Sequence, residues 1–140
     1  MDILIRCPVN PTEDSQKVEQ ALKHIIGPQK VTYEEHNETS ELVFNDSNRN
    51  SLGFVRQSIH KERIIDAARK RLLSNWNGTS TQIHFDKQAA FIGKLRVIDD
   101  STPLPPLGTI EVVIVFDTED QFEEFLSWFT PPTKDGRVIT

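Results

Sequence analysis

Cysteine is nearly absent: Cys7 stands alone among 140 residues, so no intramolecular disulfide is possible and the fold must rest on its core. No apolar run approaches the roughly 20 residues that a membrane-spanning helix needs. The opening Met1-Asp2-Ile3-Leu4-Ile5-Arg6 lacks the basic region, apolar stretch and small-residue cleavage site of a secretory signal, and a cytoplasmic protein is expected. The sequons Asn37-Glu38-Thr39 and Asn77-Gly78-Thr79 are then chance matches. No Gly-rich phosphate loop, Gly-x-Ser-x-Gly elbow or dinucleotide fingerprint occurs, so no enzyme and no cofactor is expected. His24, His36, His60 and His84 are far apart, and none pairs with another His or Cys at ligand spacing, so no metal is expected. Internal repeats and low-complexity tracts are also missing.

What is present suits one folded domain over residues 1–140. Apolar residues make up 36% and charged residues 26%, enough apolar material for a packed interior. Ile3, Ile5, Cys7 and Val9 alternate with Leu4, Arg6 and Pro8, a strand with one apolar face. Cys7 on that face reads as a buried, inert thiol. A helix follows, capped either by Asn10 with Pro11 at the first helical position or by Thr12. Its apolar stripe is Val18, Ala21, Leu22 and Ile25, and Gly27-Pro28 ends it. Val31 and Tyr33 begin a second strand, and Glu41 to Asn45 forms a third across a loop at His36–Ser40. Between Ser51 and Trp76 two apolar stripes, Val55/Ile59 and Ile65/Ala68/Leu72, fail to join, which predicts a short helix, a bend near His60 and a longer helix to about Ser74. Strands are expected at Thr81–Asp86 and Lys94–Ile98, with one helical turn at Lys87–Ala90 between them. Asp99–Gly108 reads as a loop. Thr109–Phe116 is apolar on both faces, which predicts a central strand. Thr118, with Gln121 three residues on, caps a last helix whose stripe is Phe122, Phe125, Leu126 and Phe129. Hairpins dominate this order. The expected fold is therefore α+β in two layers, a mostly antiparallel sheet with helices on one face. A ferredoxin-like sandwich with an extra hairpin is the alternative.

Net charge is −5, but it is unevenly spread: residues 1–50 sum to −4, residues 51–98 to +6 and residues 99–140 to −7. The basic middle is the most informative feature. Arg63 and Lys70 lie seven residues apart, opposite the Ile65/Leu72 stripe, with Asp66 placed to pair with Lys70 at i,i+4. Arg71 points to a flank, and Lys87, Lys94 and Arg96 follow. Nucleic-acid binding requires these six to merge into one patch. Phe85 and Phe91 look like core residues, and neither an RNP motif nor a Gly-x-x-Gly loop accompanies them. On the residues alone, a solvated helix face with scattered strand charges is the preferred reading. The acidic cluster Asp117, Glu119, Asp120, Glu123 and Glu124 reads as a first helical turn favouring the helix dipole plus a solvated face. Pro103-Leu104-Pro105-Pro106 contains a Pro-x-x-Pro pattern but reads as a stiff loop.

Four stretches carry a family resemblance: Lys87-Gln88-Ala89-Ala90-Phe91-Ile92-Gly93-Lys94-Leu95, Ile64-Ile65-Asp66-Ala67-Ala68-Arg69, Leu107-Gly108-Thr109-Ile110-Glu111-Val112, and Pro131-Pro132-Thr133-Lys134-Asp135-Gly136-Arg137-Val138-Ile139. In order and over essentially the whole chain, they resemble the archaea-restricted uncharacterised protein family 0201. Trp128-Phe129-Thr130 ahead of Pro131 departs from the Leu-Ala of the family pattern. The resemblance implies a fold similar to ribosomal protein L five, an RNA-binding class, an archaeal cytosol and a homodimer. It brings no catalytic residues.

Two functions are carried forward. The first is a non-enzymatic RNA-binding-type module that uses Arg63, Lys70, Arg71, Lys87, Lys94 and Arg96. The second is a homodimeric interaction or scaffold protein that binds no RNA, with Leu104, Leu107, Trp128 and Phe129 as spare apolar edges.

Overall fold

The computed structural model describes residues 1–101, 103–134 and 137–138. Position 102 of the expected 99–108 loop, and positions 135, 136 and 139 of the last family-like stretch, lie outside the described residues.

Strand β1 (Asp2–Val9) runs through the middle of a five-stranded sheet. It is followed by α1 (Ser15–Ile26), the hairpin β2 (Thr32–His36) and β3 (Thr39–Asp46), a 3-10 turn at Arg49–Leu52, α2 (Gly53–Lys61), α3 (Ile65–Ser74), β4 (Ser80–Asp86), α4 (Lys87–Phe91), β5 (Thr109–Val115) and α5 (Glu119–Phe129). Two short strands, β6 (Thr133–Lys134) and β7 (Arg137–Val138), pair with each other. The main sheet has the order β2-β3-β1-β5-β4, and every pairing is antiparallel. Because β3 lies between β1 and β2 and opposes both, β1-α1-β2 is a split β-α-β unit, and the β4–β5 hairpin extends the sheet on the other side. This is the expected α+β arrangement.

Register decides which side is covered. Ile5 faces Phe44 and Val112, Cys7 faces Leu42, and Ile83 faces Val112; all are buried on the helix side. On the other side Thr32, Asn45, Arg6, Gln82 and Val115 are exposed, so no described element covers that face. Val113 and Val115 belong to it. The two-faced apolar pattern of β5 therefore marks an interior strand, between β1 and β4, rather than one covered on both sides. Burial pushes the Cys7 thiol up to about 12, which keeps it protonated and inert.

Helix termini follow local chemistry. The cap of α1 is Asp14, which accepts from the Gln16 amide at 2.9 Å, and not Asn10 or Thr12. Asn10 and Glu13 instead close a turn before the helix, Glu13 Oε1 accepting from both the Asn10 amide and its Nδ2. Gly27 ends α1 at φ 82, where a Cβ would stand 2.9 Å from the Phe54 ring. Thr118 caps α5 as expected. The α2–α3 bend falls at Glu62–Ile64, with Arg63 in the left-handed region at φ 59.

Lys94–Ile98 is not a strand. It makes one isolated bridge, Phe85 to Val97, flanked by bonds from the Asp86 amide to Arg96 O and from the Ile98 amide to His84 O. Asp99 then turns the chain by accepting from the Ser101 amide and hydroxyl, which ends the pairing.

The apolar stripe of α5 joins one core cluster with Ile110, Val112 and Ile114. Trp76 stacks on Phe122 with ring centroids 4.0 Å apart, and Phe116 meets Phe122 and Phe125 at 5.5 Å. Phe129, expected as a spare edge, belongs to this core at 1% exposure.

Candidate nucleic-acid interface

The six basic candidates separate into three groups. Lys87 is fully buried, so it is removed from any solvent-facing patch. Its Nζ donates to Pro8 O at 2.6 Å, Glu13 Oε1 at 2.5 Å and Leu107 O at 3.2 Å, tying the end of β1 to the turn before α1 and the loop before β5. Three acceptors around one ammonium make this an internal tether, since a buried charge must be paired and hydrogen-bonded.

Arg71 and Arg96 reach the surface already paired. Arg71 spans to Asp100 at 3.3 Å and also donates to Asn75. Arg96 lies 3.3 Å from Asp86, the residue that caps α4. Each pair cancels local charge within a distance shorter than the Debye length, so neither adds much to an outward field.

Arg63, Lys70 and Lys94 are exposed, and among the described residues none has an ion-pair partner. Arg63 stands at the α2–α3 bend, in the left-handed region and outside α3, and Lys70 lies within α3. Lys61, at the end of α2, is likewise exposed and unpaired among the described residues. Asp66 forms no close ion pair with Lys70 among the described residues, and its Oδ1 accepts the Thr133 hydroxyl at 2.5 Å. Lys94 follows α4, and with Lys87 internal the six side chains do not form one patch. A cleft of about 460 Å³ lies between α3 and the segment after Val97, with Lys70, Arg71, Asp99 and Asp100 on its walls. Its mixed charge disfavours a polyanion there.

Other donors of the basic middle serve the last helix. Three carbonyls at the C-terminal end of α5 accept from the α2–α3 side: Trp128 O from Arg56 Nε at 2.6 Å, Phe129 O from His60 Nε2 at 3.0 Å, and Thr130 O from Arg69 Nη1 at 2.7 Å. These acceptors have no intrahelical partner, and positive charge complements that end of the helix. Arg49 and Arg56 also sit over the Trp128 ring, at 5.0 and 5.3 Å from its centroid. Sequence reasoning missed this role because the partners are 61 to 72 residues apart.

On the open sheet face Arg6 donates to Glu111 at 2.8 Å, and that bond holds the guanidinium above its ordinary pKa despite partial burial. His84 shares this row and bonds the Thr109 hydroxyl at 2.9 Å. Burial lowers its pKa, Glu111 opposes the shift, and Arg71 lowers it further. No described helix is long and apolar enough to cross a membrane.

A family model described as RNA binding matches residues 2–116. A UPF0201 protein of Aeropyrum pernix is 33% identical over 138 residues, covering 98% of this chain and 89% of the relative. Another, from Sulfurisphaera tokodaii, is 34% identical over 134 residues, covering 96% and 90%. Among solved structures, a UPF0201 protein from Methanococcus jannaschii superposes with a TM-score of 0.79 at 29% identity, over 100% of both chains.

Proposed function

We propose that this chain, which belongs to the UPF0201 family, is a non-enzymatic RNA-binding-type module whose contact face is the α2–α3 bend. The observation that carries this reading is the pair Arg63 and Lys70, both exposed and unpaired among the described residues, one at the α2–α3 bend and one on α3, in a chain matched by an RNA-binding family model. Lys61 adds a third charge beside them. This footprint is smaller than the six-residue patch expected from sequence, because Lys87 is internal and Arg71 and Arg96 are paired. Contacts of this kind grip phosphates and do not read bases.

Fluorescence anisotropy with a structured RNA tests it. About three phosphate contacts give a log–log salt slope of about −3. Arg63→Ala and Lys70→Ala should each weaken binding and flatten the slope by about one unit, with little change between RNA sequences. Arg96→Ala should leave the slope unchanged. No binding at low salt would rule out the RNA role.

A second reading, a homodimeric interaction protein, is favoured by one observation. Leu4, Val113 and Val115 form a partly exposed apolar strip on the uncovered sheet face, where Leu4 opposes Val113 in register and Val115 is 42% exposed. Sedimentation showing only monomer across the micromolar range would remove it.

A further inference from the structure

We propose that the outer face of the β2–β3 hairpin is a binding site for a late first-row divalent cation, zinc being the probe of choice, held by Glu34, His36 and Glu41. The strand period puts Glu34 and His36, two residues apart, on the same face of β2. Antiparallel register sets Glu41 of β3 directly opposite Glu34. That face is the uncovered one, so all three side chains are open to solvent from one side.

The geometry is close to that of a bound ion. His36 Nε2 lies 3.5 Å from Glu34 Oε2 and 3.5 Å from Glu41 Oε1. One ligand atom from each of the three residues falls within 4.8 Å of the others. Two donors each about 2.0–2.1 Å from a tetrahedral zinc stand roughly 3.3–3.4 Å apart. Both imidazole–carboxylate separations are thus already near the bound value, and only the two glutamates need to close, by rotation of exposed side chains. Three protein ligands leave a coordination position for water.

The donor set also argues for the type of ion. Oxygen donors alone would suit magnesium or calcium, whereas an imidazole nitrogen favours the zinc end of the series. Two carboxylates directly opposite across strands are unfavourable as a bare pair, and a dication between them removes that repulsion. Arg6, a cation close enough to feel Glu41, is occupied by Glu111 at 2.8 Å. The hairpin is short: Asn37 takes φ 46 and the Thr39 hydroxyl donates to His36 O at 3.1 Å, so His36 is held next to the turn. The other histidines are worse placed. His24 and His60 are each bonded to a backbone carbonyl, and His84 has one carboxylate, Glu111, at 3.8 Å.

The test is a zinc titration of the full chain against a chromophoric chelator, with side-chain nitrogen NMR to identify the histidine. The expected result is one zinc per chain, a shift confined to the His36 ring, and no competition from millimolar magnesium. His36→Asn should abolish the site. Glu41→Gln should weaken it by at least the roughly 10–100-fold that outer-shell changes cause. His84→Asn should leave it intact and controls for the two-ligand alternative. Circular dichroism of each variant checks folding, and Glu41→Gln stands in should His36→Asn fail. No saturable zinc uptake, equal uptake by wild type and both hairpin variants, or a shift on another histidine would overturn the assignment.

Discussion

Replacing Lys87 with methionine removes, among the described residues, the only charged donor reaching Glu13 in a buried setting. Lys87 is completely enclosed and the Glu13 side chain is 9% exposed. The substitution preserves most of the packing volume, so its effect isolates the ammonium. Pro8 O and Leu107 O lose their Nζ bonds, and Glu13 keeps only the two from Asn10. Its Oε2 has no hydrogen-bond partner among the described residues even in the wild-type chain. A carboxylate left behind in this way costs about 3–5 kcal/mol, a large part of the roughly 5–15 kcal/mol that holds a domain together. Thermal melts should fall by about 10–20 °C. Burial raises the Glu13 pKa, but Lys87 and Asn10 together overcome it and hold the carboxyl below its ordinary value. That depressed group contributes stability present above the unfolded carboxylate value and lost as pH falls through the folded one. Without Lys87 only the Asn10 bonds oppose burial, so the carboxyl shifts up from its wild-type position. The gap between variant and wild type should therefore narrow as pH falls through the ordinary carboxylate range, at about pH 4. Adding Glu13→Gln should restore about 1.5–3 kcal/mol as a coupling energy. Urea melts of the four members of the cycle measure this. A loss below about 1 kcal/mol for Lys87→Met, or no coupling, would refute the buried-tether account.

Phe125→Ala should cost about 3–5 kcal/mol in denaturant melts, because it deletes a ring at 2% exposure that contacts Phe116, Trp128 and Phe129. The folded state holds His84 below its ordinary value, so stability should decline as pH drops from about 7.5 through the ordinary histidine value near about 6.5. His84→Gln should flatten that decline in melts over the same range. Arg69→Ala should destabilise by about 1.5–3 kcal/mol, since it removes a charged bond to Thr130 O that closes the end of α5. A smaller loss, near 0.5 kcal/mol, would mean that water replaces the guanidinium.

Periodicity carried most of the fold. The β1 alternation, the failed join between the Val55 and Ile65 stripes and the phenylalanine stripe of α5 all lie within a few residues of chain, where side-chain direction follows from backbone geometry. Lys94–Ile98 misled because its composition suits a strand while its pairing depends on where Asp99 turns. The cations were harder. Nothing near Lys87 distinguishes it from a surface lysine, as its partners are 74, 79 and 20 positions away. Arg56, His60 and Arg69 are told apart from Arg63 and Lys70 only by the carbonyls of a helix half a chain later. The hairpin triad did carry a local signal, carboxylate and imidazole at i and i+2 with a second carboxylate across the turn. A search for His and Cys pairs alone passes over it.

The dependence of α2 and α3 on the end of α5 bears on where the molecule can be divided. The RNA-binding family model stops at residue 116, three positions before α5 begins at Glu119. That endpoint follows sequence similarity and not mechanical independence. A chain cut there would strip Phe122, Phe125, Leu126 and Phe129 from the core and leave Trp76 and Phe116 facing water. It would also release Arg56, His60 and Arg69 from their carbonyls, creating two new surface cations and a free imidazole near Lys61 and Arg63. Such a fragment would be sticky toward apolar surfaces and toward polyanions alike. Nucleic-acid retention measured on it would report exposed capping groups, so fragments used for binding work should run past Thr130.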